Sequence, residues 1–379
     1  MTALRIVHIY KDYAPVLGGI ENHIRVLAEA QARRGHHVSV LVTQRAGLPF
    51  SDTVINGVRV VKVPRQLNVQ SAPISFAFPR WVRLLTRNAD IAHLHAPYPI
   101  GELCNLWFGR ARHTVITWHS DIVRQRTLLR FYTPWLRRVI AHADRIFPTS
   151  EVYARTSPWL QRHLDKCRVI PLGVDPQRFA PPAHPPAPSG VLRLLSVGRL
   201  RYYKGLDDLI RALSTLHDAE AFIVGDGPMA AAWQALARQL GVADRVHFIG
   251  EVDDEALPRW YQNADVYVIP ANARAEAFGV AILEAMASGL PVISTEVGTA
   301  TSWINQHGVT GFVVPPRDPQ ALAAAIERLR DPRLRRQMGE AARARVLAEF
   351  TEAHMLACVE AAYRELTDAS AVPRAAQSA

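Results

Sequence analysis

One local pattern runs through this chain twice, and it limits the folds available more than any single motif does. Each pass opens with a short run of branched apolar residues, continues through a glycine-containing loop, and enters a segment with apolar residues at helical spacing. The first pass begins at residues 4–9 (LRIVHI), crosses Gly18-Gly19, and continues through Ile20, Ile24, Leu27, Ala28 and Ala30 to a stop at Gly35. Further short strands are expected at residues 37–42, 58–63, 91–94, 114–117 and 145–148. The second pass starts at residues 192–197 (LRLLSV), enters a helix through Leu206, Leu209, Ile210 and Leu213, and adds strands at 221–224, 246–249, 266–269, 291–294 and 311–314. Such alternation predicts parallel sheets covered by helices on both faces. Between the two passes, residues 171–188 hold seven prolines, which lack amide donors and resist helix and sheet interiors alike. This segment reads as a semi-rigid, extended connection. The expectation is two doubly wound α/β domains, residues 1–180 and 181–350, facing a cleft fed by the carboxyl ends of the strands. A helix at 351–368 is expected to return to the first domain, and residues 369–379 to lack fixed structure.

Composition removes several classes. With 49% hydrophobic and 21% charged residues over 379 positions, there is enough apolar material for ordinary cores. No run approaches the roughly 18 apolar residues that span a bilayer, and the first thirty residues lack the order of a signal peptide, so a cytoplasmic protein is expected. Cys104, Cys167 and Cys358 lie far apart without a CxxC, which argues against a disulfide framework or a zinc site. The net charge of +10 invites a nucleic-acid reading. Residues 1–186 carry 25 Lys and Arg against 11 Asp and Glu, while the remainder carries 19 against 23, so only the first half is basic. No nucleic-acid motif accompanies that charge.

The strongest local signal is EAFGVAILE, which sets Glu276 in a loop and Glu284 within the helix that follows. Eight residues of helix return to within about 80° of the starting direction, so both carboxylates can face one cleft. The amides of Phe278, Gly279 and Val280 at that helix's start would offer donors to an anion, and Gly279 permits close approach. Alternatively, Glu276 is a helix-start residue favoured by the dipole and Glu284 a solvated one. After the strand at 192–197, GRLRYYKG places Arg199 and Lys204 five residues apart, a cation pair suited to a diphosphate. It is neither a P-loop nor a dinucleotide fingerprint, which disfavours hydride transfer with NAD. GDGP at 225–228 reads as a tight turn with Pro228 at a first helical position.

In the first half, GGIENH contributes Gly18, Gly19, Glu21 and His23, and TWHSD contributes His119 beside Asp121, each after a strand. No nucleophilic triad is visible, and His36-His37 and His93/His95 have poor geometry for a closed metal site. Between residues 122 and 141, Leu128, Tyr132, Trp135, Leu136 and Val139 recur at helical intervals among Arg124, Arg126, Arg130, Arg137 and Arg138. A basic amphipathic helix of this kind suits an anionic membrane surface, although Pro134 interrupts it and an ordinary core-facing helix has the same pattern.

Taken together, these residues resemble the retaining glycosyltransferases of the GT4 family. The resemblance covers nearly the whole chain: GGIENH, TWHSDIVRQ, PTS, VIPLGVD, VGRLRYYKG, IVGDGP, EAFGVAILEAMASGLPVI and TGFVVPPRDP, in this order and at these intervals. It implies the GT-B fold, two Rossmann-like domains about a central cleft. It implies that Arg199 and Lys204 bind the donor's diphosphate, that Glu276 holds sugar hydroxyls, and that Glu284 holds the ribose. It further implies that His119 lies near the transferred sugar and that the Gly18-Gly19 loop approaches donor phosphate and acceptor, with Glu21, His23 and Asp121 on the acceptor side. HSDIVRQ, LRYYKG and VGTATSWIN also resemble bacterial O-antigen mannosyl- and D-rhamnosyltransferases that use GDP-sugars. The resemblance therefore implies a nucleotide-sugar donor and a glycan acceptor. The basic first half suits a lipid-diphosphate-linked or oligosaccharide acceptor and an anionic membrane surface as partner, with the inner face of the plasma membrane as the expected location. No cofactor, no metal and no nucleic acid are expected. A UDP-sugar donor, a non-catalytic sugar-nucleotide or nucleic-acid binder, and an epimerase of the same fold are the alternatives.

Overall fold

In the first half, seven strands form one sheet: Arg5–Ile9 (β1), His37–Thr43 (β2), Ser51–Ile55 (β3), Val58–Val63 (β4) and, after a small ribbon of Leu67–Val69 (β5) and Ala72–Ile74 (β6), Ile91–Ala96 (β7), His113–Trp118 (β8) and Arg145–Pro148 (β9). Their order is β3-β4-β2-β1-β7-β8-β9. The second half builds a six-stranded sheet from Leu192–Val197 (β10), Ala219–Val224 (β11), Val246–Gly250 (β12), Val266–Ile269 (β13), Val292–Thr295 (β14) and Gly311–Val314 (β15), in the order β12-β11-β10-β13-β14-β15. The structure, a computed structural model, describes residues 2–16, 18–69, 72–122, 126–183 and 190–371.

Both sheets wind outward from a central pair, β1/β7 in one and β10/β13 in the other. Every pair in the second sheet is parallel. The first sheet has one exception: β3 pairs antiparallel to β4, with Ile55 opposite Val58. This corrects the expectation of a purely parallel sheet. The turn is Asn56-Gly57, both at positive φ (49° and 83°), which is the geometry of a type I′ hairpin. The Asn-Gly signal stands in the sequence, and β3's mostly exposed face hid the strand from a search for apolar runs.

Contacts divide the chain into Met1–Pro171 with Glu352–Ala379, and Leu172–Thr351. The division falls earlier than position 180 because residues 172–180 are not a free connection. Leu172, Val174 and Phe179 are buried in the second unit's core. The Val174 amide donates to the Phe350 carbonyl (2.9 Å), and Ser288 Oγ donates to that of Phe179 (3.1 Å). Prolines dominate the composition there, but three spaced apolar side chains decide the packing. Residues 184–189, which hold three of the seven prolines, lie outside the described residues.

The C-terminal helix Glu352–Ala371 packs in the first unit, where Met355, Leu356, Val359 and Tyr363 cover Ile6, Leu27, Ile91 and Val115. It runs past residue 369, where the tail was expected to begin, and residues 372–379 lie outside the described residues.

The basic segment forms the helix Arg126–His142, with Pro134 inside it. Tyr132, Leu136 and Val139 face the core, so most of the apolar stripe expected on a membrane surface is occupied within the fold. Phe131 and Trp135 remain outward, with Trp135 edge-on to Trp107 and under the Arg138 guanidinium. Arg124 lies outside the described residues, as do the side chains of Arg126 and Leu128. Among the described residues no helix is long and apolar enough to cross a membrane.

Candidate active site

The second unit's strand order reverses between β10 and β13, the position at which an open parallel sheet leaves a crevice beyond its strand ends. Two loops meet there. Gly198 to Gly205 follows β10, and the chain from Pro270 to Gly279 follows β13. Gly205 sits at φ 64°, and a Cβ there would lie 2.0 Å from the Pro270 carbonyl oxygen, so only glycine permits the contact. The Asn272 amide donates to the Tyr203 carbonyl (2.9 Å) and ties the loops again. On the other side, Thr299 Oγ1 donates to the Glu276 carbonyl (2.7 Å). Gly205→Ala is expected to cost at least about 2 kcal/mol from positive φ and carbonyl overlap. That corresponds to a fall of about 4–8 °C in the second unit's melting temperature, and calorimetry showing no fall would refute the close approach.

This frame brings Lys204 and Glu276 together: Nζ lies 2.8 Å from Oε2, with the two side chains 14% and 9% exposed. Burial alone would lower the lysine's pKa, but the adjacent carboxylate outweighs it and the ammonium is held above its ordinary range. Lys204 Nζ also lies against Gly198, where a Cβ would be 2.9 Å away. Arg199, next in sequence, is exposed and has no ion-pair partner among the described residues. Gly279, at φ 83°, caps the Val280–Ala287 helix, and a Cβ there would stand 3.7 Å from Glu276 Oε1. Among the described residues the amides of Phe278, Gly279 and Val280 have no acceptor. The Lys204–Glu276 pair and the free helix-start donors thus lie together at this switch point, and no ion pair among the described residues joins Arg199 to them.

Glu284 lies one face away, accepting from the Tyr261 hydroxyl at 2.6 Å. Burial raises its pKa, and the tyrosine bond and the Arg178 charge oppose that rise. Asp254, in the loop after β12, also acts on it, so the carboxylate and that loop share surroundings. Tyr267, buried beneath, is pushed up by burial and then by both Glu276 and Glu284. Tyr261 and Thr299 were not singled out from sequence, because nothing local links them to the carboxylates they hold. The GDGP turn behaves as a turn: Gly225 and Gly227 let it lie against the backbone of Gly198 and Leu200. The following helix begins at Ala230, so Pro228 is not its first residue.

In the first unit, the Gly19–Arg33 helix starts at the exposed pair Gly18-Gly19, and the Glu21 carboxylate folds back over Gly18. His23, one turn on, is buried and edge-on to His119 with ring centroids 5.1 Å apart. His119 is not held by Asp121, as their adjacency suggested. Its Nε2 lies 3.1 Å from His95 Nδ1, while Asp121 accepts from the Trp118 indole (3.0 Å) and the Ser157 hydroxyl (2.7 Å) and pins its own loop.

His119 belongs to a layer of five buried histidines: His8, His23, His93, His95 and His119. Strand alternation explains it. On one face β1 presents Ile6 then His8, β7 presents Ile91 then His93 and His95, and β8 presents Val115 and Thr117, with His119 two residues further on. On β1 and β7 this face is apolar at the amino end and polar at the carboxyl end, while β8 opens with His113 opposite Ile91; the layer lies at the first unit's own point of reversal. His8/His93/His95 and His23/His95/His119 each bring ring nitrogens within 4.8 Å of one another, closer than the sequence suggested for any histidine pair. Both nitrogens of His8 and of His95 are, however, engaged with Gln31 or another ring.

Burial pushes His8 down to about 4, with its Gln31 bond opposing, and His23 down to about 3. The other three are also depressed by burial. Below pH 6.5 the unfolded chain takes up protons that the folded layer refuses, so stability is lost from about pH 6.5 downward to about pH 4 for His8. His8 and His23 each cost about 2 kcal/mol at pH 5, and the other three rings act in the same direction. The first unit's melting temperature is therefore expected to fall by more than about 10 °C between pH 7.5 and 5. A flat profile would contradict neutral burial.

Residues 17–178 match the family described as Glycosyltransferase Family 4, and residues 182–345 match Glycosyl transferases group 1. The D-rhamnosyltransferase WbpZ of Pseudomonas aeruginosa is 38% identical over 92% of both chains. The O-antigen chain mannosyltransferase C of Escherichia coli is 35% identical over 93% of this chain and 96% of its own. The solved sucrose-phosphate synthase of Thermosynechococcus elongatus superposes with a TM-score of 0.81 at 26% identity, covering 96% of this chain and 99% of its own. The chain belongs to the family 4 glycosyltransferases and is a glycosyltransferase with the GT-B fold.

Proposed function

We propose that this enzyme transfers a hexose, mannose or D-rhamnose, with retention from a GDP-sugar to a lipid-diphosphate-linked or oligosaccharide acceptor in O-antigen assembly. The observation that carries the reading is the buried Lys204–Glu276 pair beside the free amides of residues 278–280. In this reading Lys204, Arg199 and those amides meet the charge that develops on the departing diphosphate, so no metal cofactor is needed. Glu276 orients the sugar, Glu284 holds the ribose, and the Asp254 loop borders the base. The same reading assigns His119 and the Gly18-Gly19 loop to the donor, and Glu21, His23 and Asp121 to the acceptor. The names of the two bacterial relatives support the transferred sugar, and that of the second supports the pathway.

Thermal shift against GDP, UDP and ADP tests the donor. A ligand at about 100 times its dissociation constant adds about 2.7 kcal/mol, and GDP is expected to give the largest rise. A larger rise with UDP would assign a UDP-sugar instead, and no rise with any of the three would end the proposal.

The same reading places the enzyme peripherally on the inner face of the plasma membrane, through Phe131, Trp107 and Trp135 among exposed Arg130 and Arg137. Anionic liposomes are expected to retain it at low salt and release it at high salt, with Phe131→Ser weakening retention several-fold. Equal retention on neutral liposomes would contradict this.

A further inference from the structure

The histidine layer contains a directed chain. Gln31 Oε1 lies 2.8 Å from His8 Nε2, His8 Nδ1 lies 3.0 Å from His95 Nε2, and His95 Nδ1 lies 3.1 Å from His119 Nε2. All four side chains are buried. An amide oxygen carries no proton, so the first contact requires a proton on His8 Nε2. A neutral imidazole has only one N–H. His8 Nδ1 is therefore bare and accepts from His95 Nε2, and His95 Nδ1 is bare and accepts from His119 Nε2. The single proton of His119 is committed inward. Its Nδ1 is left as a lone pair, buried and without a partner. A buried polar atom in this state calls for an occupant.

We infer that Gln31, His8 and His95 are positioning residues that hold His119 in its Nε2–H tautomer, so that Nδ1 accepts a hydrogen bond from a substrate hydroxyl. The substrate part rests on the reading that His119 faces the transferred sugar. The tautomer does not. The chain's polarity comes from one side chain, Gln31, on the far side of the layer from His119. His93 stands outside the chain, since its nitrogens meet the Tyr363 hydroxyl and Thr117 Oγ1, each at 2.6 Å. The role of His119 is thus that of an acceptor: a hydroxyl suits it, and a group with no proton to donate does not. A catalytic or binding histidine in the wrong tautomer loses its function although its position is unchanged.

Nitrogen-15 NMR of the ring nitrogens in the full-length protein tests the inference, with His119→Gln identifying the His119 signals. In the wild-type protein without substrate, His119 is expected to show a protonated Nε2 and a bare Nδ1. Gln31→Leu, which removes the terminal acceptor, is expected to admit the Nδ1–H tautomer and to lower kcat/KM about tenfold. Gln31→Glu restores an acceptor and is expected to recover both. A wild-type His119 protonated on Nδ1 would overturn the inference, and this measurement stands even if Gln31→Leu does not fold. One zinc ion retained per chain after dialysis would also overturn it, because ligated nitrogens cannot carry the chain. If the tautomer is as stated but folded Gln31→Leu keeps full kcat/KM, the positioning role fails while the transferase reading stands. If no sugar nucleotide is turned over by the wild type, that reading fails and the tautomer result is unaffected.

Discussion

Lys204→Ala is expected to lower turnover about 100-fold, and by more than tenfold in any case, while the second unit keeps its fold. The ammonium is 2.8 Å from Glu276 and only 14% exposed, so water cannot take its place as a screen. In such surroundings a fixed cation counts for far more toward a developing negative charge than it would at the surface. On the proposed function the effect falls on kcat, because a diphosphate leaving group gains charge as the sugar leaves. Removing one partner of a buried pair also strands the other, at a cost of about 3–5 kcal/mol. Lys204→Met keeps the aliphatic stem and separates that packing loss from the charge. Steady-state kinetics beside calorimetry checks both, and a purified, folded variant with near-normal turnover would defeat the assignment.

Glu276→Gln is expected to lower kcat by more than tenfold, and Glu276→Ala at least as much. Glutamine retains the shape and the anchoring of the loop by Thr299, so the loss reports the charge. It also reverses the balance at Lys204. Burial depresses the lysine's pKa and Glu276 raises it, so without the carboxylate the depressing influence prevails. The ammonium then loses its proton at a lower pH than in the wild type. The alkaline limb of the pH–rate profile should shift downward in Glu276→Gln. If Glu276 served only to hold Lys204, the Lys204→Met/Glu276→Gln double variant would be no worse than Lys204→Met. An additional loss in the double variant is expected if, as proposed above, the carboxylate also orients the sugar.

Strand positions were legible because each is a short branched run bounded by turn residues: β4, β9, β10, β13 and β15 begin and end where the runs do. The mixed edge was legible too, through Asn56-Gly57, but exposed Ser51–Ile55 offered no apolar run to search for. Arg199, Lys204, Glu276 and Glu284 were singled out by residue type and local context. The contact between Lys204 and Glu276 was not, since two loops about seventy residues apart in sequence meet only through the strand order. Asp121 illustrates the opposite error, in which proximity in sequence suggested a partnership that Trp118 and Ser157 claim instead. His8 reads only as a strand residue, and the His93/His95 pair only as metal ligands of poor geometry. Counting by twos along β1, β7 and β8 would have aligned them, and the helix residue Gln31 becomes visible only once the helix is laid on that face.

The return of the Glu352–Ala371 helix to the first unit has a practical consequence for recombining such enzymes. A chimaera that joins the N-terminal half of one family member to everything after position 171 of another would mismatch the side chains over Ile6, Ile91 and Val115. It would also take position 363, whose hydroxyl here meets His93, from the other member. Each misfitted large apolar side chain costs about 1.5–3 kcal/mol. An exchange that carries positions 352–371 along with the N-terminal half keeps that lining intact, so the unit to exchange is the internal segment 172–351 rather than the C-terminal half.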